Sequence, residues 1–191
     1  PVVASMIERH AGEVIRILDF GGGLAASYFP LVTAFSEPDS LEFHIIEGKA
    51  VCSRGKKMFS NQPNVHFHNS LPELKDPVHI VHSGSALQYV EDWQGLIVSL
   101  AEYKSKYFIL ADLLAGDIRT FVTIQNFYQK KIRLRFLNIK ELLSVVEAVG
   151  FSLVYKSNYM AEIRGSTGPL PMENFEKECQ LDYACQVLFK R

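Results

Sequence analysis

Residues 16–29 read RILDFGGGLAASYF. An apolar, branched run ends in Asp19 and Phe20, three glycines follow at once (Gly21, Gly22, Gly23), and the chain then continues into a stretch that can open a helix. A strand, a glycine-rich turn and a helix in that order place bare backbone at the carboxyl edge of a parallel sheet, where α/β proteins bind ligands. The turn therefore predicts a site for a nucleotide-like group.

The rest of the chain repeats the rhythm that this reading needs. Short runs rich in branched and aromatic residues predict strands at 14–20, 42–47, 65–68, 78–82 and 107–113. Between them, "KAVCSRGKKMF" is amphipathic, with Val51, Met58 and Phe59 on its apolar side, while "DWQGLIVSLAEY" and "IKELLSVVEAV" show 3.6-residue spacing. Gly150 stands where a helix C′ residue belongs. After it, "FSLVYKSNY" and "LDYACQVLFKR" are strand-like with no helix between them, which predicts an antiparallel pair at the sheet edge. Residues 114–137 and 159–178 read as long irregular stretches, candidates for lids or acceptor loops.

Composition narrows the class of protein. A chain of 191 residues with 48% hydrophobic content suits one domain, 1–191, with a sizeable core. Lys plus Arg number 20 against Asp plus Glu 21, a balance that offers no footprint for nucleic acid or an anionic membrane. No apolar run reaches the roughly eighteen residues of a membrane span. Cys52, Cys179 and Cys185 form no CxxC pair and are odd in number, so neither a disulfide framework nor a thiolate metal site is expected, and a cytoplasmic location fits. The chain opens at Pro1 inside an amphipathic stretch, "VVASMIERH", so a native N-terminal segment is expected to be missing.

Two cofactors compete for the turn. "GGGLAA" can be fitted to the dinucleotide fingerprint, with Glu47 as the ribose acid. Asp19 argues against that, because a pyrophosphate at the strand tip would meet a like charge in a partly desolvated cleft. S-adenosylmethionine carries an ammonium and a sulfonium and no phosphate, so an acid there attracts it. On this reading the glycines admit the cofactor and Asp19 recognises its cationic end; the bland alternative is a turn cap. Glu47, ending "FHIIE", can accept both ribose hydroxyls, and Gly48 beside it leaves room for adenine. Asn69, Ser70 and the backbone of Leu71 can read the adenine edge, although Asn and Ser are also ordinary turn residues.

The order of these motifs resembles the class I S-adenosylmethionine-dependent methyltransferases over nearly the whole chain. Five blocks, "LDFGGGLAASYF", "HIIEGKAVCSRGKKMF", "SGSALQYVEDW", "TIQNFYQKKIRLRFLNIKEL" and "LPMENF", are similar to a narrower family of uncharacterised methyltransferases associated with surface-polysaccharide genes. The resemblance implies a Rossmann-like, seven-stranded α/β sheet, mostly parallel with an antiparallel last strand and helices on both faces. It also implies S-adenosylmethionine as cofactor, with contacts from Asp19, Gly21, Gly23, Glu47 and the stretches after the third and fourth strands; Phe20, Gly22, Gly48, Asn69, Ser70, Leu71, His82 and Ser83 complete the expected cofactor-binding set. It implies no substrate. Two departures stand out: a glycine is expected where Ala25 stands, and an Arg-Thr-Pro-like segment where the chain has "ADLLAGD".

Methyl transfer is an in-line displacement at an activated carbon, so positioning supplies most of the catalysis and a general base is optional. His82 and Asp112, near the ends of the fourth and fifth strands, are the catalytic candidates; a wall histidine and a helix or turn cap are the plainer readings. Tyr89 either lines the cleft or packs under a helix. Lys130, Lys131, Arg133 and Arg135, with Phe121, Phe127, Tyr128 and Phe136 around them, form either a rim for an anionic or sugar-bearing acceptor or a solvated face over aromatic anchors. "HFH" puts His66 and His68 on one strand face, but no third ligand and no acidic pair of the magnesium-dependent kind accompany them, so no metal is expected. The expected activity is methylation, on oxygen, of a small or sugar-like acceptor. The competing readings are an NAD-dependent oxidoreductase and a non-catalytic binding module with the same fold.

Overall fold

The computed structural model describes residues 13–34, 38–160, 162–163 and 166–191, and the side chains of 161–167 are outside that description. The predicted N-terminal amphipathic stretch lies outside the described residues. Seven strands form one sheet in the order β3-β2-β1-β4-β5-β12-β9: β1 Ile15–Phe20, β2 Leu41–Ile46, β3 Val65–His68, β4 Ile80–Gly84, β5 Tyr107–Leu113, β9 Ser152–Tyr159 and β12 Ala184–Lys190. The first five lie within two residues of their predicted positions, and β1, β2, β3 and β4 pair in parallel. The predicted edge pair is present, with β12 antiparallel to β9. The chain divides into two compact units, Pro1–Gly84 with Tyr103–Phe108, and Ser85–Glu102 with Ile109–Arg191.

In the first unit, two helices follow strands: α1 (Tyr28–Ala34) comes after the glycine turn and α2 (Lys49–Met58) comes after β2. Tyr28 of α1 meets Phe43 edge-on at 5.6 Å and Phe59 at 6.0 Å, so an aromatic cluster seats both helices on the sheet. The buried side of α2 is made by Cys52 and Gly55, with Phe59 just beyond it, whereas Met58 is 64% exposed. The sequence reading had placed Met58 on the apolar side. The helix is turned because Gly55, with no side chain, is the residue that approaches β3 most closely: a Cβ there would stand 2.3 Å from the ring of buried Phe67.

In the second unit, α3 (Trp93–Ala101) is capped by Asp92, whose carboxylate accepts from the Gly95 N–H at 2.9 Å, and it buries Trp93, Ile97, Leu100 and Ala101. α4 (Ile139–Ala148) is capped by Asn138, which accepts from the N–H groups of Lys140 and Glu141. Gly150 follows at φ +90°, as its C′ placement requires.

Residues 114–137 are not irregular. They hold a short strand, β6 (Ala115–Gly116), and a hairpin of β7 (Phe121–Phe127) and β8 (Lys130–Asn138), antiparallel from Phe121↔Phe136 to Phe127↔Lys130. Alternation in "FVTIQNF" and "KKIRLRF" carries that hairpin, with Leu134 and Phe136 inward and Arg133 and Arg135 outward. A second small hairpin, β10 (Glu162–Ile163) with β11 (Ser166–Thr167), lies in the other stretch read as irregular. One buried cluster of this unit joins Leu114, Ile118, Leu134, Phe136, Met172 and Ala184. All three cysteines are buried thiols.

Gly55→Ala separates packing from propensity. Alanine favours a helix interior by about 1 kcal/mol over glycine, yet overpacking costs about 1–3 kcal/mol. Urea denaturation is expected to show a net loss of stability; a gain would contradict the packing of α2 on Phe67.

Candidate functional site

The site in the first unit gathers at the carboxyl ends of β1, β2 and β4. Asp19 is fully buried, and each of its carboxylate oxygens has a partner: Oδ1 accepts from His82 Nδ1 at 2.7 Å, and Oδ2 accepts from the Ser27 hydroxyl. Asp19 and His82 are in register on neighbouring strands, which is what brings the pair together. The sequence reading had this carboxylate facing a ligand. In the structure His82 and Ser27 satisfy that carboxylate beneath the turn.

Because a carboxylate only accepts, His82 must donate through Nδ1, and in the neutral ring Nε2 carries the lone pair. Gly22 completes the arrangement from above. A Cβ at Gly22 would stand 2.5 Å from Asp19 Oδ2, so only glycine lets the turn close over the acid. Ser27 was missed by sequence reasoning; its one signal is its place just before α1.

The other glycines serve a different purpose. Gly21 and Gly23 adopt φ +73° and +59°, and a Cβ on Gly23 or on Gly48 would meet nothing within 4 Å. Both face open space. Glu47 fastens them: its Oε1 accepts from the Gly23 N–H at 3.0 Å and its Oε2 from the Gly48 N–H at 2.9 Å. The end of β2 is tied to β3 by the Glu47 N–H donating to the His68 carbonyl at 2.9 Å, which brings Asn69, Ser70 and Leu71, all exposed, to the same end of the sheet. Ser83 is 2% exposed and its hydroxyl has no partner. Phe20 is half-buried at the end of β1. Where a glycine was expected, Ala25 takes φ +60°, the left-handed conformation in which glycine costs nothing.

Asp112 belongs to the second unit, where it lines a cavity of about 390 Å³ with Ser85, Gln88, Tyr89, Gln125 and Phe136 among others. Ser85 and Asp112 both hold positive φ, +55° and +47°, rare for residues with a side chain and characteristic of functional sites. Buried Gln88 ties them, donating from Nε2 to the Ser85 hydroxyl and to the Asp112 carbonyl, each at 3.3 Å. Tyr89 donates to Gln125 Oε1 at 3.1 Å, and burial together with the Asp112 charge pushes its phenol up. Tyr89 therefore lines this cavity rather than packing under a helix. Of the basic residues, Arg133 pairs with Glu91 at 3.0 Å and Arg135 donates to the Val90 and Glu91 carbonyls, so both anchor the hairpin. Phe121 and Phe136 stack at 4.9 Å, while Tyr128 is exposed at the hairpin tip.

No protein-family model matches the chain, and no curated protein matches it in sequence. Solved structures do match in shape. An S-adenosylmethionine-dependent methyltransferase from Methanosarcina mazei is 13% identical, with a TM-score of 0.67 over 100% of this chain and 97% of that one. The O-methyltransferase of a trans-AT polyketide multienzyme from Brevibacillus brevis, in complex with S-adenosyl-L-homocysteine, is 10% identical, with a TM-score of 0.68 over 100% of this chain and 71% of that one. The chain has the S-adenosylmethionine-dependent methyltransferase fold. The [4+2]-cyclase SpnF shares it, at 12% identity and a TM-score of 0.64 over 100% of this chain and 79% of that one. The reaction must therefore be argued from the site.

The glycine turn yields a direct comparison. Gly22→Ala forces Asp19 to move and should cost about 2–3 kcal/mol by overpacking, whereas Gly23→Ala meets only backbone strain of roughly 1–2 kcal/mol. Denaturation of the two variants is expected to show Gly22→Ala as the weaker; the reverse order would contradict the closure of the turn over Asp19.

Proposed function

We propose that the protein is an S-adenosylmethionine-dependent methyltransferase that methylates an oxygen of a small or sugar-like acceptor. The observation that carries this is the Glu47 carboxylate, bonded to the Gly23 and Gly48 N–H groups at the edge of open space. Both glycine amides are thereby spent on an acid, so a phosphate would find a negative charge where a phosphate-binding turn offers donors. An adenosyl group fits the same residues, because Glu47 keeps lone pairs for two ribose hydroxyls.

In this reading Gly21, Gly22 and Gly23, with Phe20 alongside, form the floor for the cofactor, Glu47 holds its ribose, and Gly48, Asn69, Ser70 and Leu71 surround adenine. His82 and Ser83 supply polar groups at the end of β4. Asp19 acts from below, orienting His82 through Nδ1 and setting the height of the turn. When bound, the cofactor supplies an electrophilic methyl group on a sulfonium. The chain's own work is to position an acceptor hydroxyl and take its proton.

The cavity of the second unit suits the acceptor. Its volume is in the range of small-molecule sites, and it combines hydroxyl and amide groups on Ser85, Gln88, Tyr89, Thr123 and Gln125 with apolar surface from Leu134, Phe136 and Phe175. A sugar presents that same mixture of hydroxyls and apolar C–H faces. Asp112 is the base in this pocket, and His82, through its Nε2 lone pair, is the second candidate. The buried thiols suit a reducing compartment, and we place the protein in the cytoplasm.

Calorimetry with S-adenosylhomocysteine and with NAD tests the cofactor. Binding of the former alone is expected, with Glu47→Ala weakening it at least tenfold while circular dichroism shows the variant still folded. NAD binding would favour an oxidoreductase, and response to neither would favour a non-catalytic module. Asp112→Asn is expected to leave the S-adenosylhomocysteine affinity unchanged and to lower turnover of labelled cofactor by about 10²–10⁴.

A further inference from the structure

The opposite face of the first unit's strands carries a cluster that methyl transfer does not use. Glu42 and His44 alternate on β2, His66 and His68 on β3, and His44 and His66 are direct register partners. The His44 ring stacks on His66 at 4.8 Å and on His68 at 5.2 Å between centroids. Glu42 Oε1 lies 3.4 Å from His44 Nε2 and 3.3 Å from His66 Nε2. Its other oxygen is held by Arg16 Nε at 2.6 Å, which fixes the carboxylate in place.

His44 Nε2 is buried, and it has no hydrogen-bond partner. His44 as a whole is 5% exposed. Its other nitrogen is engaged, Nδ1 lying 3.0 Å from His68 Nε2. With the proton on Nδ1, His68 accepts it, and the Nε2 lone pair of His44 points at a carboxylate oxygen. Two lone pairs 3.4 Å apart repel, and a cation bound to both would relieve that repulsion. With the proton on Nε2, the distance to Glu42 is too long for a good hydrogen bond.

We propose that Glu42, His44 and His66 form a zinc site, with His68 positioning His44 from behind. The two distances from Glu42 to the imidazoles fit the ion, because in a tetrahedral zinc centre with bonds near 2.0–2.1 Å adjacent ligand atoms stand about 3.3–3.4 Å apart, and all three ligand atoms lie within 4.8 Å of one another. Two imidazoles and one carboxylate make a borderline donor set that suits zinc rather than magnesium or calcium. Three protein ligands leave the fourth position to water, and His66 and Glu42 are open enough to admit it. The His68 contact is the outer-shell bond that metal-bound histidines make through their second nitrogen. "HFH" alone lacks a third ligand, and no metal is expected from it; the strand register supplies Glu42 and His44. The other group of potential ligands, Glu176, Glu178 and Cys179, is taken up by Arg119, which donates to Cys179 Sγ at 3.1 Å and pairs with both glutamates.

The test uses the full chain, stripped with a chelator and then titrated with zinc chloride, without any adenosyl ligand. One equivalent is expected to bind with a rise in melting temperature, and cobalt(II) is expected to give the visible absorption of a tetrahedral centre. His66→Ala, a partly exposed position that leaves the core intact, should lose at least tenfold in zinc affinity with an unchanged circular dichroism spectrum. His68→Gln should lose roughly 10–100-fold, and Cys179→Ser should match the parent. Absence of zinc binding, or binding that His66→Ala leaves unchanged, would overturn the site.

Discussion

A carboxylate with no water around it governs the end of β1. A buried acceptor left without a hydrogen-bond partner typically costs about 1–3 kcal/mol, and more when it carries charge. Asp19 can sit where it does only because His82 stands in register on β4 and Ser27 closes from the start of α1. That requirement ties three elements together at one point, and it dictates a turn that can pass over a carboxylate without a side chain, which is why Gly22 follows. The open glycines Gly23 and Gly48 are then free for a ligand, and Glu47 arranges them.

The same strands place two kinds of chemistry on two faces. On β1, Arg16 and Asp19 point to opposite sides, and each organises an acidic or imidazole group on a neighbouring strand: Arg16 holds Glu42, and Asp19 holds His82. Each contact fixes the side chain it holds. On one face His82 stands beside the glycine turn; on the other the two histidines nearest Glu42 share one of its oxygens. Strand alternation keeps the two sets apart while the parallel register fixes the spacing within each.

Much of this was legible in the sequence. β3 and β5 were read with their observed limits, because "VHFH" and "YFILADL" are bounded by turn residues and helices. The glycine turn, Glu47 and Gly48 were legible because their meaning is local. The partner of Asp19 was not, since His82 lies 63 residues away. The β7–β8 hairpin was missed because Tyr128, at φ +53°, makes its turn without Gly, Asn or Asp, and because two outward arginines break up the apolar pattern. The Glu42–His44–His66 cluster was invisible for a related reason: each strand shows only half of it, and the register that joins the halves is a property of the sheet.

The most direct measurement is a crystal structure of the protein with S-adenosylhomocysteine. The account predicts the adenosyl group against the bare faces of Gly23 and Gly48, its ribose hydroxyls on Glu47, and Asp19 still buried between His82 and Ser27. A ligand bound elsewhere, or Asp19 swung out of its pocket to meet it, would contradict the account.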